Sequence, residues 1–353
     1  MTMEMEDATR SSAGAVDAGE TAPGTGFRRM LVCLDRSEAA ETVLPLAAHL
    51  AQIDRARMTL LNVIETRPDA REVHATDALE WDIVRQEARA YLDRVAHCLD
   101  NLGVVVESQV AEGSGAHGIG IAALAAELEA DLLVLSTYGE GGTGAWTLGG
   151  TAEKILALAQ GSVLIVPTGV GQTASHVSLR RILVPLDGSP RGESVLSTVL
   201  RLARADDAEI VVAHAVPDPL RTEVLSTPED LELAHELANR LAARADVYLE
   251  RMRSQLVAGG ARARVAVCRA VDHREGLLAL AAGERADLIV VSAHGSVCNP
   301  KRRFGSVTSH LIAQSTVPVL VMQDLPGRSA RDAGAAPSRL PSRSIDSSLG
   351  SSS

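Results

Sequence analysis

Aromatic side chains are scarce in this sequence: two Trp, three Tyr and two Phe in 353 residues. A core must therefore be assembled from Val, Leu, Ile and Ala, and an apolar content of 46% is enough for that. Cysteine is rarer still. Cys33, Cys98, Cys268 and Cys298 form no CxxC pair and fall at no Cys/His spacing that suits zinc. This argues against a disulfide scaffold and a structural zinc site. Cys33 and Cys268 sit in apolar, strand-like runs and read as small core residues. Cys298 sits in a candidate loop, as an ordinary thiol or a reactive one. Excess positive charge is missing too. A net charge of −11 and a pI near 5.4 argue against non-specific nucleic-acid binding, without forbidding a local basic pocket. No apolar run approaches the roughly 20 residues of a membrane span. The N-terminus has no charged-then-apolar export pattern, so the expected compartment is the cytoplasm. There is no GxxxxGK[ST] loop and no nucleophile elbow. His214, His273 and His310 are scattered, without metal spacing.

What is present is a duplication. Met30-Leu-Val-Cys-Leu-Asp35-Arg-Ser matches Ile182-Leu-Val-Pro-Leu-Asp187-Gly-Ser. Asp131-Leu-Leu-Val-Leu-Ser136-Thr-Tyr-Gly139 matches Asp287-Leu-Ile-Val-Val-Ser292-Ala-His-Gly295. Ser162-Val-Leu-Ile-Val-Pro167 matches Val317-Pro-Val-Leu-Val-Met322. The offsets, 152 from Asp35 to Asp187 and 156 from Gly139 to Gly295, are too similar for coincidence. Short apolar runs predict parallel strands at 29–34, 58–64, 104–110, 131–136 and 162–167, then at 181–186, 209–216, 262–268, 287–292 and 317–322. Helical patterns fall at 38–52, 77–101, 117–129, 151–159, 190–204 and 228–257. This alternation specifies two tandem doubly wound five-stranded parallel-sheet domains. The boundaries expected are a disordered tail over 1–26, a first domain over 27–168, a linker over 169–179, a second domain over 180–323 and a disordered tail over 324–353.

Glycine patterns compete for the site. Gly113-Ser-Gly115-Ala-His-Gly118 and Gly139-Glu-Gly141-Gly-Thr-Gly144 both fit GxGxxG. Neither lies in the first βα turn, where a dinucleotide fingerprint belongs. A stronger arrangement follows the run Asp287–Ser292. Gly295 is followed by nine residues and then by Gly305-Ser306-Val307-Thr308, which opens a helix. Glycines there allow a sharp turn and close approach of a ligand. Free amides at a helix N-terminus form an anion site. Ser306 and Thr308 add hydroxyls, and Lys301, Arg302 and Arg303 bring positive charge. The plain alternatives are a helix cap at Ser306 or Thr308 and a solvated loop at Lys301–Arg303. His294 is either a phosphate donor or an ordinary loop residue. Trp146 is either a contact residue or core-edge packing.

These residues resemble the universal stress protein family. Its nucleotide-binding members carry Gly-x-x-Gly, nine residues, then Gly-Ser or Gly-Thr, and an Asp ending the first strand, usually in Asp-Gly-Ser. Asp187-Gly188-Ser189 and Gly295-(nine)-Gly305-Ser306 match, while Ser292 replaces the first Gly. The resemblance implies an adenine nucleotide alpha hydrolase-like, Rossmann-like fold that binds ATP, with magnesium as its companion ion. It implies that Asp187 meets the ribose and that Pro185 and Ala215 line the adenine. Ser292, Gly295, Gly305, Ser306, Val307 and Thr308 would then hold phosphates. In the first half, Asp35 and Val63 take the ribose and adenine positions, with Gly139 and Gly149 in the phosphate loop. That half departs further: Arg36 replaces Gly, Ser136 replaces Gly, and Gly150 replaces Ser or Thr. The nucleotide would act as a conformational or assembly ligand in a stress response, not as an enzyme substrate. The alternative is a tandem scaffold that binds no nucleotide and works through protein contacts. The last strand of each half is expected to pair antiparallel with the other, and dimerisation of the whole chain is left open.

Overall fold

The computed structural model describes residues 26–66, 78–114, 117–137, 148–168, 177–218, 227–296 and 302–323. Residues 1–25 and 324–353 of the tails, residues 169–176 of the linker, Gly115, Gly139, Trp146, Cys298 and Lys301 lie outside them. The first half runs β1 (Arg29–Cys33), α1 (Glu38–Glu41), α2 (Leu44–Asp54), β2 (Arg57–Thr66), α3 (Ala78–Asp100), β3 (Val105–Ser114), α4 (His117–Glu127), β4 (Leu132–Ser136), α5 (Gly150–Leu158) and β5 (Ser162–Val166). The second repeats it as β6 (Arg181–Pro185), α6 (Pro190–Glu193), α7 (Leu196–Asp206), β7 (Glu209–Pro217), α8 (Pro228–Ala258), β8 (Arg262–Ala270), α9 (His273–Gly283), β9 (Leu288–Ser292), α10 (Ser306–Gln314) and β10 (Val319–Met322).

The strands form one ten-stranded sheet in the order β3-β2-β1-β4-β5-β10-β9-β6-β7-β8. Pairing within each half is parallel. The seam is antiparallel, with Val319, Leu320 and Val321 opposite Ile165, Leu164 and Val163. The central strands have nothing polar to expose: β4, β5 and β9 are runs of Leu, Val and Ile ending or beginning in Ser. Such runs need cover on both faces, and helices supply it. One face carries α1–α3 and α6–α8, packed through Leu46, Leu92, Val199 and Leu249. The other carries α4, α5, α9 and α10, packed through Ile121, Ile155, Leu277 and Leu311. Each core layer is continuous across the seam.

Two sequence expectations need correction. The patterns at 38–52 and 190–204 are each two helices. The Thr42 hydroxyl donates to the Ala39 carbonyl at 2.7 Å, and the Ser194 hydroxyl donates to the Arg191 carbonyl at 2.7 Å. Each hydroxyl satisfies a carbonyl at the end of a short first helix, so the chain can restart. Pro45 helps in the first half only, since α7 has no proline in its first turn. The second correction is α9, which the periodicity did not mark. Its start is a side-chain cap, Asp272 accepting from the Arg274 amide at 2.9 Å.

A second contact joins the halves on the α2/α7 face. Asp54 and Asp206 occupy equivalent positions, as do His49 and Arg201. Buried Asp54 pairs with Arg201 across the interface, and Asp206 pairs with His49 at 2.6 Å. Each carboxylate also holds the entry to its own domain, accepting from the Phe27 amide at 2.8 Å and from the Leu179 amide at 2.7 Å. Arg201 stacks over the Phe27 ring at 5.8 Å, and burial pulls its guanidinium down to about 10.

Candidate functional site

A cleft of about 290 Å³ opens beyond the carboxyl ends of β6, β7 and β9. In a doubly wound sheet this is where strand order reverses and loops part. Pro185, Asp187, Ala215, Ser292, Gly295, Gly305, Ser306, Val307 and Thr308 all line it. The structure therefore brings together every second-half residue that the family resemblance assigns to the nucleotide.

Asp187 is set by its own turn. Its Oδ1 accepts from the Ser189 amide at 3.0 Å and the Ser189 hydroxyl at 2.6 Å. The same hydroxyl accepts from the Gly192 amide at 3.0 Å and caps α6. Oδ2 accepts from the Ser296 amide at 2.5 Å. Burial opposes ionisation of this carboxyl, but the hydrogen bonds from Ser189 and Ser296 outweigh it and hold the carboxyl below its ordinary range. Gly188 bridges the turn at φ +82°, where a side chain is strained. Gly295 is not at a positive φ, so the sharp-turn reason for it does not hold. Its reason is space, since a Cβ there would overlap Asp187 Oδ2.

The helix N-terminus forms the opposite wall. The Gly305 amide donates to the Ala293 carbonyl at 2.8 Å, closing the loop onto the end of β9. The first bond into α10 runs from the Ser309 amide to the Gly305 carbonyl. The amides of Ser306, Val307 and Thr308 thus have no partner within the helix. A Cβ on Gly305 would meet no atom of the described residues closer than 3.7 Å. The protein itself does not require glycine here.

Three expected phosphate contacts are spent differently. The Thr308 hydroxyl donates to the Ser292 carbonyl at 2.9 Å, inside the protein, and only its amide is left for an anion. The Ser292 hydroxyl donates to the His294 carbonyl. His294 is buried, and its Nε2 lies 2.8 Å from the Arg302 carbonyl, so it anchors the loop. Arg302 and Arg303 do not line the cleft. Arg302 is exposed, while Phe304 plugs the core beside them and fixes the loop's path. The periodicity gave no sign of Phe304.

The cleft also includes residues that sequence reasoning passed over: Leu186, Gly192, His214, His273, Leu277 and Ser296. His214 Nδ1 lies 2.6 Å from the Leu186 carbonyl. Among the described residues no group of three His, Cys, Asp or Glu side chains stands ready to hold a metal.

In the first half, Asp35 Oδ1 accepts from the Ser37 amide at 3.0 Å and the Ser37 hydroxyl at 2.6 Å, repeating the Asp187 turn. Arg36 sits there at φ +70° in place of Gly188. Asn62 Nδ2 donates to the Leu34 carbonyl at 2.8 Å, at the position of His214. The Gly149 amide donates to the Thr137 carbonyl at 3.0 Å, as Gly305 does to Ala293. Val63 is half-buried at the Ala215 position. Gly139 lies outside the described residues.

The sequence model described as "Universal stress protein family" matches residues 26–167 and again 178–323. The chain belongs to that family. A universal stress protein of Mycolicibacterium smegmatis is 27% identical over 308 residues, covering 83% of this chain and 96% of the relative. Universal stress protein MJ0577 of Methanocaldococcus jannaschii is 26% identical over 157 residues, covering 42% of this chain and 96% of the relative. Among solved structures, a universal stress protein from Archaeoglobus fulgidus superposes with a TM-score of 0.59 at 19% identity, covering 84% of this chain and 98% of that one. That likeness shows the tandem fold. No helix among the described residues is long and apolar enough to cross a membrane.

Proposed function

We propose that the second half binds an adenine nucleotide, ATP in the first instance, as a regulatory ligand of a universal stress protein. Gly305 carries this reading. Among the described residues it has room for a side chain, yet it stands at a helix N-terminus whose first amides have no helical partner, beside the cleft. A ligand resting on those amides would need the bare backbone. Phosphate oxygens would lie over the Ser306, Val307 and Thr308 amides, where the helix dipole favours negative charge. Asp187 would accept from ribose hydroxyls, since an ionised carboxylate only accepts. Pro185, Ala215 and Leu277 offer an apolar wall for the base. With no side-chain cage for a metal among the described residues, a magnesium ion would ride on the phosphates. We read the nucleotide as effector and not substrate, because the acid at the ribose end and the histidine beside the phosphate loop are both engaged, Asp187 by Ser189 and Ser296, and His294 by Arg302.

One observation favours a nucleotide-free scaffold: the Ser296 amide already occupies Asp187 Oδ2, where a sugar hydroxyl would donate. Two measurements separate the readings. Thermal shift with millimolar ATP and Mg²⁺ should raise the melting temperature of the intact chain, as any ligand that binds only the folded state does. Mass spectrometry of denatured protein should release copurified adenine nucleotide. No shift and no nucleotide would select the scaffold.

A further inference from the structure

We propose that His214 reads the exocyclic amino group of the base and makes the second-half cleft selective for adenine over purines that carry a carbonyl there. This deepens the nucleotide reading above and rests on it. The contact between His214 Nδ1 and the Leu186 carbonyl fixes the tautomer, because a carbonyl oxygen can only accept. Nδ1 must carry the proton. In the neutral ring Nε2 is then a lone-pair acceptor. Among the described residues Nε2 has no hydrogen-bond partner, and it is not one of the buried polar atoms left unsatisfied. It is the ring atom left to accept from what enters, in a residue that lines the cleft beside Ala215. An amino group at that point donates to Nε2. A carbonyl there, as in hypoxanthine or guanine, sets lone pair against lone pair.

The first half supplies the control. Asn62 stands where His214 does and makes the equivalent bond to the Leu34 carbonyl at 2.8 Å. Asn at this position thus supports the turn before the acidic residue but carries no imidazole acceptor. His214→Asn should keep the fold and lose only the base reading. Two more histidines line the cleft: His294 is tied to the Arg302 carbonyl, and His273, the first residue of α9, has no hydrogen-bond partner among the described residues. It serves as the comparison substitution, His273→Asn.

The test is isothermal titration of the intact chain with ATP and with inosine triphosphate, which differ in the base edge alone: a 6-amino group beside an acceptor N1 against a 6-carbonyl beside an N1–H. Wild type should prefer ATP by about tenfold, the discrimination expected when one hydrogen bond is exchanged for an unsatisfied acceptor in a partly open site. His214→Asn should bring the two affinities to within about twofold, mainly by weakening ATP. Its melting temperature should stay near that of wild type, and His273→Asn should keep the preference. Equal affinity for both nucleotides in wild type would overturn the role of His214 while leaving nucleotide binding intact. So would a preserved ATP preference in a folded His214→Asn. Binding of neither nucleotide to wild type would overturn the nucleotide reading itself, and this inference with it.

Discussion

Gly305 and Arg36 are single residues whose backbone positions say opposite things. Gly305 adopts an ordinary extended conformation with ordinary contacts around its missing Cβ. Gly305→Ala should therefore leave stability within about 0.5 kcal/mol while weakening ATP by tenfold or more, as read by denaturation and calorimetry. Arg36 holds a left-handed conformation that its counterpart meets with glycine. Its ion pair with Glu87, 3.8 Å and exposed, offers little in return. Arg36→Gly should gain about 0.5–1 kcal/mol in urea denaturation. Asp187 adds a pH signature. Its carboxyl is held below the ordinary value of 3.8, so the folded state binds that proton less readily than the unfolded chain. The stabilisation is complete above the ordinary range and is lost as pH falls through the lower folded value. Wild type should exceed Asp187→Asn in stability at pH 7, and the gap should narrow as pH falls below the ordinary value of 3.8. At this scale glycine spacing marked the loop from Gly295 to Thr308, and the family resemblance named the residues from other strands that meet it in the cleft. It did not show what the side chains do there. The inward turn of the Thr308 hydroxyl and the tautomer of His214 depend on partners from neighbouring strands and loops, which spacing does not encode.

Helices and strands were legible where a pattern was long. The core strands announced themselves as apolar runs, and α8 and α3 fell within a few residues of their expected spans. Breaks inside a pattern were not legible. Thr42 and Ser194 look like ordinary helix residues until their hydroxyls are seen on carbonyls one turn back. The short, alanine-rich α9 lacks a wide apolar stripe and is defined by its cap. Contacts between elements of different halves were hidden as well. Nothing in the separate patterns of α2 and α7 pairs Asp54 with Arg201, although both occupy equivalent sites with respect to His49 and Asp206. Arg201→Ala should strand a fully buried carboxylate and cost about 3 kcal/mol or more in chemical denaturation. His49→Ala, at the more accessible partner pair, should cost less. An equal loss in the two variants would mean that burial of the carboxylate is not the governing quantity.

As a whole, the molecule is a duplicated fold with unequal sites. The phosphate-loop closure and the acidic turn recur in both halves, but Gly150 offers the first half no hydroxyl where the second has Ser306. Calorimetric titration of the intact chain with ATP should give a stoichiometry near one; a value of two would show that helix amides alone suffice. The sheet explains how such inequality persists. In a pair of separate identical subunits, each substitution appears on both sides of the seam, so a site cannot be lost from one copy and kept in the other. Here β5 and β10 belong to one chain and meet at a fixed one-to-one ratio. The first half must go on supplying Val163, Leu164 and Ile165 as a wall for the second, whatever becomes of its own loop. Covalent linkage thus separates two selective demands, partnership and ligand binding, that a symmetric pair would have to meet with a single sequence.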